Sequence, residues 1–394
     1  MKVLVLNSGS SSIKYELRDS NGGTVLCRGD ISRIGEADGV RDHGRALEAI
    51  LDALVAAGGG PLKNLSEVEA VGHRVVHGGR YFDGPALLTP DVIGKIQECA
   101  PLAPLHNPPA LLGIREALRV LPHIPQVAVF DTSFHTTIPP RAHVYALPYD
   151  YYERHGVRRY GFHGISLQSV IGTADALLNG RVKDLRVVVA HLGNGASATA
   201  VDCGTSVDTS MGLTPLEGLV MGTRAGDVDP GALLYLMREL GLSRACVERV
   251  LNKESGLLGV SGVSNDMRDV LAAGAAGDER ARLALAVYCY RLRKYIGAYA
   301  AAMGGLDAVV FTAGVGENSP EIRASVCEDL GFLGIALDRE ANGKARGVNA
   351  DISLAGSRVK VLVIATDEER VIADETVAVV TQRRRGRSWS SKSC

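Results

Sequence analysis

Two arginines stand in places where a fold alone has little use for them. Arg74 lies inside an apolar run, His73-Arg74-Val75-Val76-His77-Gly78-Gly79. A buried arginine is rare unless an anion meets it, so Arg74 faces either a structural carboxylate or a bound ligand. Arg224 lies in a glycine-bracketed loop, Met221-Gly222-Thr223-Arg224-Ala225-Gly226-Asp227. A third loop, Thr312-Ala313-Gly314-Val315-Gly316-Glu317-Asn318-Ser319-Pro320, reads as a strand, a Gly-x-Gly turn, and a helix with Ser319 as cap and Pro320 at its first position. Helix N-termini attract anions, although the third glycine of the dinucleotide fingerprint is missing. The fourth stretch is Asn7-Ser8-Gly9-Ser10-Ser11-Ser12, with Lys14 just behind it. Six small polar residues between two strands exceed what a hairpin requires. Their N–H groups and hydroxyls suit phosphate oxygens; a Ser-rich turn with a solvated lysine is the plainer account. Neither G-x-x-x-x-G-K-[ST] nor the H-R-D and D-F-G of protein kinases occurs, so the commonest ATP-site designs are absent.

The elements that must carry these residues follow from apolar periodicity. Val3 to Leu6 reads as a strand, and Ile13, Tyr15 and Leu17 as the alternating face of its hairpin partner. Val25 to Ile31 gives a third strand, and Leu47, Ile50, Leu51 and Leu54 mark a helix ending at Gly58-Gly59-Gly60. Val68 to Val76 is a strand delivering Arg74. Asn107-Pro108-Pro109 opens a helix with Asn107 as its cap, and Val127 to Phe130 is a buried strand ending at Asp131. The order β-β-β-α-β-α-β mixes an antiparallel hairpin with parallel crossovers. Near Pro148-Tyr149-Asp150 the composition changes, and Arg186 to Val201 repeats the opening design around Gly193 to Ser197. A long helix follows, with Leu285, Tyr288, Cys289, Leu292, Ile296, Tyr299 and Met303 on one face, then strands Ala308 to Thr312 and Val359 to Ile364 and a last helix near 369–382. The same β-turn-β unit at the head of both halves indicates internal duplication. The tail 383–394 is basic, Ser-rich and aperiodic, and is expected to be disordered.

Bulk properties narrow the class. A chain of 394 residues has room for two domains, and 46% hydrophobic with 22% charged residues is a folded composition. A net charge of −1 gives no electrostatic case for nucleic acid or an anionic membrane. No apolar run reaches the roughly 20 residues of a spanning helix, and Met1-Lys2 leads into a strand rather than a signal peptide. Seven scattered cysteines without a C-x-x-C pair argue against a zinc site or disulfide framework and point to a reducing cytoplasm.

Taken together, the motifs resemble the acetate kinase family. They are Asn7 to Ser12 with Lys14, Gly72 to Gly79, Ala103-Pro-Leu-His-Asn-Pro-Pro109, Phe130-Asp131-Thr132, Tyr160-Gly-Phe-His-Gly164, His191-Leu-Gly-Asn-Gly195, Gly222-Thr-Arg224, Ser264-Asn-Asp-Met-Arg268 and Gly314-Val-Gly-Glu-Asn318. They stand in the family's order across about residues 1–380. The resemblance implies an α/β fold of two duplicated RNase-H-like domains of the actin-like ATPase kind. Each would have a mixed five-stranded sheet flanked by helices, with the active site in the cleft between them. The expected division is 1–150 with 369–382 as an acyl-acid and phosphate domain, 151–368 as the nucleotide domain, and 383–394 as tail.

It further implies reversible, Mg²⁺-dependent transfer of the ATP γ-phosphoryl to acetate, direct and in line, giving acetyl phosphate and ADP, with Mn²⁺ as a possible substitute and acetyl-CoA biosynthesis as the setting. Arg74 would hold the acetate carboxylate; Arg224 and His163 would neutralise the transferring phosphoryl group. Asn7 and Glu368 would position the metal. Asp131 is the family's supposed acid/base residue. Acetate is already ionised at neutral pH, so orienting Arg74 or a metal-bound water is the role expected here. Val76, Leu105, Phe162 and Pro215 would form the pocket for the acetate methyl, through which propionate would also react. Ser10, Ser12 and Lys14, with His191, Leu192, Gly193, Asn194 and Gly195, would meet the nucleotide's phosphates. Asp266, Met267, Arg268, Gly314, Val315, Gly316, Glu317 and Asn318 would line the nucleoside pocket. His77 reads equally well as a structural histidine and as a ligand contact, and Arg80 stands where many family members carry an acidic residue. The partners implied are acetate, ATP and a second copy of the chain as a homodimer. A propionate or butyrate kinase, and a non-catalytic actin-like nucleotide switch, are the rival readings; a pure switch has no use for a carboxylate-binding Arg74.

Overall fold

The opening strand explains the architecture of the first half. In a computed structural model that describes residues 1–36, 38–56 and 59–390, with the side chains of 384–390 excepted, β1 is Lys2–Ser8. Its side chains alternate between two buried faces. Leu4 and Leu6 pack with Leu47, Ile50 and Leu54 of the helix His43–Val55, and Val3 and Val5 pack with Val371, Ile372 and Val380 of the helix Glu368–Ser390. A strand covered on both sides is apolar throughout, which is why Val3 to Leu6 shows no polar alternation. β2 (Ser12–Asp19) pairs antiparallel with β1, and β3 (Thr24–Ser32) antiparallel with β2. β4 (Ala70–Val75) is parallel to β1, and β6 (Gln126–Phe130) parallel to β4. β5 (Ala86–Leu87) closes the far edge antiparallel to β6, giving the order β3-β2-β1-β4-β6-β5.

The second half repeats that plan. β7 (Arg186–Leu192), β8 (Ala196–Asp202) and β9 (Thr205–Thr209) form the antiparallel part, β10 (Ala308–Thr312) and β12 (Lys360–Val363) the parallel part, and β11 (Ala350–Asp351) the antiparallel edge. Reversed, the order β11-β12-β10-β7-β8-β9 matches the first sheet strand for strand in position and direction. Even the irregularities correspond: the second and third strands slip register at Leu17/Arg18 in one sheet and at Ala200/Val201 in the other. The long helix Glu279–Ala302 packs on β7 and β8, burying Tyr288, Cys289, Leu292, Ile296 and Tyr299 as its periodicity predicts.

Several expectations change. Each sheet has six strands rather than five, because two-residue edge strands leave no readable alternation. The serine loop shrinks to three residues: Asn7 and Ser8 belong to β1, opposite Lys14 and Ile13, and Ser12 already belongs to β2. Asn107 is the first residue of the helix Asn107–Val120 rather than its side-chain cap. Gly314 to Asn318 is itself a helical turn, Ala313–Asn318, and Ser319 makes no side-chain cap to the helix Pro320–Cys327. The helix expected near 369–382 is Glu368–Ser390, which takes in eight residues of the expected tail; 391–394 lie outside the described residues, as does Gly58.

The chain divides into two units, Met1–Phe134 with Gly164–Ser169 and Asp367–Cys394, and His135–His163 with Val170–Thr366. The first division falls after Phe134 instead of near 150, and the short piece Gly164–Ser169 returns to the first unit through Ile165, which packs with Val3 and Val129.

Candidate functional site

In the first unit, parallel pairing brings the polar residues to one edge. Arg74 is registered with Val129, two residues before Asp131, so both side chains leave the same face. The backbone N of Asp131 extends the ladder by donating to Val75 O at 3.0 Å. Arg74 Nε and Nη2 then donate to Asp131 Oδ1 and Oδ2 at 3.1 and 2.7 Å, a two-pronged pair. Asp131 is 1% exposed. Burial pushes its carboxyl above the ordinary carboxylate range, and Arg74 pulls it back. Burial also opposes the guanidinium charge, but Asp131 and Glu368 outweigh it and hold Arg74 protonated more firmly than a free arginine. Glu368, the first residue of its helix, places Oε2 3.9 Å from Arg74 Nε. Asn7 lies one step past the Leu6–His73 pair, level with Arg74 across the two strands.

The neighbouring loop is tied down rather than flexible. Asn107 is fully buried, its Nδ2 donating to His77 O at 2.9 Å and its Oδ1 accepting from His77 N at 3.0 Å. His77 Nδ1 accepts from Gly79 N at 2.9 Å, and Gly78 N donates to Thr132 Oγ1 at 3.0 Å. The Nδ1 and backbone of His77 thus help to fix the shape of this loop. Arg80 is exposed, its guanidinium 5.7 Å from the centre of the Tyr81 ring. In the hairpin, Gly9 N donates to Ser12 O at 2.7 Å and His43 Nε2 lies 2.8 Å from Gly9 O. Ser10 and Lys14 are exposed and Ser12 half-buried. Val76 is half-buried and Leu105 is exposed.

In the second unit the β7–β8 turn, Gly193 to Gly195, gathers the other predicted residues. A Cβ on Gly195 would stand 2.6 Å from Arg224 Nη2 and 3.6 Å from His163 Nε2, so both side chains converge on that turn, and any residue larger than glycine there would push the Arg224 guanidinium aside. Arg224 Nη1 donates to Pro215 O at 2.5 Å. Among the described residues no carboxylate forms an ion pair with Arg224, and burial lowers its pKa. A half-buried cation balanced by a carbonyl, with no carboxylate beside it, is a site for an anion. His163 has φ +61, strained for a non-glycine residue; its Nδ1 lies 2.9 Å from Ser197 Oγ, and its ring stacks on His191 at 4.1 Å. Phe162, just before it, is buried, with its carbonyl 2.9 Å from His135 Nε2.

Beside the turn opens a cavity of about 1010 Å³. Its wall includes Gly193 and Asn194, expected at the phosphates, and Asp266, Met267, Arg268, Gly314, Val315 and Asn318 from the stretches expected around a nucleoside. His191, Leu192, Gly195, Gly316 and Glu317 are not part of its wall. Gly316 and Glu317 instead give their carbonyls to the fully buried Arg323, while Glu317 Oε1 accepts from Thr366 N at 3.2 Å. Asn265, Leu257, Tyr288 and Arg346 also form part of the wall, beyond the residues that the sequence pointed to. Asn265 lies within the Ser264 to Arg268 motif; its Nδ2 donates to Asn194 Oδ1 at 3.2 Å, and Gly222 N donates to Asn194 O at 3.0 Å. Tyr288 sits on the helix face whose periodicity predicts core, and it serves as core and as wall at once.

Comparison with known proteins agrees in extent. The model of the acetokinase family matches residues 2–374. An acetate kinase of Halothermothrix orenii is 53% identical over 96% of this chain and 100% of its own length. One of Carboxydothermus hydrogenoformans is 50% identical over 97% and 100%. Among solved structures, an acetate kinase of Porphyromonas gingivalis superposes with a TM-score of 0.91 at 47% identity, covering 96% of this chain and 99% of that one. A propionate kinase from Francisella tularensis gives 0.89 at 41% identity, covering 95% and 98%.

Proposed function

The chain belongs to the acetokinase family and is an enzyme of the acetate kinase type, and on that premise we propose how its residues move the ATP γ-phosphoryl group to acetate. Both reactants are anions, so repulsion is the first obstacle and fixed positive charge the first requirement. Arg74 binds the acetate carboxylate. Its Nε and Nη2 edge is held by Asp131, and among the described residues nothing bonds its Nη1, which is left for a second carboxylate; this is the observation that carries the assignment. Arg224 and His163, converging on Gly195, stabilise the equatorial oxygens of the phosphoryl group in flight. The 1010 Å³ cavity takes the nucleoside, with the Gly193 to Gly195 turn at the phosphates; Ser10, Ser12 and Lys14 are assigned to the phosphates from the first unit.

Asp131 orients Arg74 rather than removing a proton, since acetic acid, like the carboxyls of Asp and Glu at roughly 4, is ionised at neutral pH and its attacking oxygen carries no proton. Among the described residues there is no cluster of three or more His, Cys, Asp or Glu placed for a metal. Asn7 and Glu368 offer two hard oxygen donors on the first unit. That small set fits Mg²⁺, which keeps most of its waters and is shared with substrate phosphates. Bound there, Mg²⁺ neutralises phosphate charge. Val76, Leu105, Phe162 and Pro215 are assigned to the methyl group. The likeness to a solved propionate kinase favours propionate as a slower second substrate, because one methylene is worth only about 1–3 kcal/mol in such a pocket.

A homodimer in the cytoplasm completes the reading. The helix Pro230–Glu239 buries none of its residues, and Leu234, Tyr235 and Met237 stand exposed along it, a surface suited to a second copy. No described helix is long and apolar enough to cross a membrane. Incubating the protein with ATP, Mg²⁺, acetate and hydroxylamine tests the reaction: acetyl hydroxamate is the expected product. Absence of product with acetate, together with turnover of butyrate, would move the assignment to a longer-chain kinase.

A further inference from the structure

The chain re-enters the first unit at Asp367, one residue before Glu368. Asp367 Oδ1 accepts from Arg370 N at 3.0 Å and so caps the first turn of the helix that Glu368 begins. The same oxygen accepts from Arg18 Nη2 at 2.6 Å. Arg18 comes from β2 and is 6% exposed, and its Nε donates to Glu16, two residues earlier on the same strand face and equally buried. Asp367 N adds a bond to Ser169 Oγ at 3.2 Å. None of Glu16, Arg18 or Asp367 has a part in the chemistry proposed above. A buried cluster of this kind does little for net stability, but it fixes one arrangement of the chain. What it fixes here is the first helical turn. Arg74 does not lock Glu368 in the way that it locks Asp131, because the separation is 3.9 Å.

We propose that Arg18, acting through Asp367, is a positioning residue that sets the Glu368 carboxylate for the nucleotide's divalent cation. The proposal rests on Glu368 being a metal-positioning residue. Partners one step removed from a metal ligand commonly change metal affinity by about 10–100-fold when removed. Arg18 reaches Glu368 through one backbone step, so the lower end of that range applies.

The test is Mn²⁺ binding in the presence of ADP, followed by the electron paramagnetic resonance signal of unbound Mn²⁺. The variants are Arg18→Met made together with Glu16→Gln, so that no lone charge is buried, Asp367→Asn as a milder break in the link, and Glu368→Gln. The double variant is expected to bind Mn²⁺ about tenfold more weakly and to need correspondingly more Mg²⁺ for activity. Its acetate KM, and kcat at saturating Mg²⁺, should stay within about twofold of wild type. Asp367→Asn should shift Mn²⁺ binding in the same direction, and it carries the test if the double variant does not fold. In the Glu368→Gln background neither change should add to the loss. A lowered Tm with unchanged Mn²⁺ affinity, or equal losses with and without Glu368, would overturn the role of Arg18 while leaving Glu368 as a ligand. Unchanged Mn²⁺ binding in Glu368→Gln itself would remove the metal assignment and this inference with it.

Discussion

Arg74 and Asp131 hold each other through two hydrogen bonds where the carboxylate is sealed from water. Replacing Asp131 by Asn keeps the shape but turns an acceptor into a donor against a guanidinium that can only donate. The expected result is a rise in acetate KM of about tenfold, from a misdirected Arg74, with a pH–kcat profile of unchanged shape. Loss of kcat together with one pH limb, at unchanged acetate KM, would make Asp131 an acid/base residue instead. At this scale the sequence was most readable. An arginine in an apolar strand and another between glycines are anomalies visible without coordinates. Asn107 was read as a cap because Asn before Pro-Pro has the right composition for one. Its actual role depends on His77, 30 residues away, and no local pattern reports that pairing.

The helix Asn107–Val120 and the loop after β4 meet through that one side chain, which satisfies both backbone groups of His77. Asn107→Ala would leave a buried N–H and a buried C=O without their partner, at about 1–3 kcal/mol each. A loss of about 3 kcal/mol in urea unfolding is expected; a loss below about 0.5 kcal/mol would mean that water replaces the amide. The elements themselves were legible wherever an apolar run was long. β1, β4, β6, β7 and β10 are buried on both faces and show it. β5 and β11 have two residues each, too few to carry a period. The serine loop was over-read for the opposite reason: polar residues at a strand end look like loop until register shows them paired.

Across the whole chain, the duplication rested on two similar turns in the sequence and now rests on two sheets of identical order and direction. Each unit also buries a histidine that burial holds neutral. His73 lies 2.8 Å from Gln126 Oε1, and His135 lies between Ser206 Oγ and Phe162 O. Burial pushes both down to about 4 from the usual 6.5. Between those values the unfolded chain binds more protons than the folded one, so stability rises with pH there. The stabilisation is complete above about 6.5 and is lost as pH falls toward 4. Each histidine contributes about 3 kcal/mol to that loss. Urea unfolding from pH 7 to pH 4 should show proton uptake beyond that of the carboxylates, reduced by about one proton in His73→Gln. An unchanged slope in that variant would show that His73 titrates normally.

The central claim is a division of labour between two arginines, Arg74 for the carboxylate and Arg224 for the phosphoryl group in flight. Steady-state kinetics with acetate varied at saturating ATP and Mg²⁺, for Arg74→Ala and Arg224→Ala, tests it most directly. Arg224→Ala should lose about 10²–10³ in kcat with acetate KM changed by no more than about threefold. Arg74→Ala should raise acetate KM by at least about tenfold and lower kcat as well. Unchanged kinetics in both, or a large acetate KM effect confined to Arg224→Ala, would contradict the account.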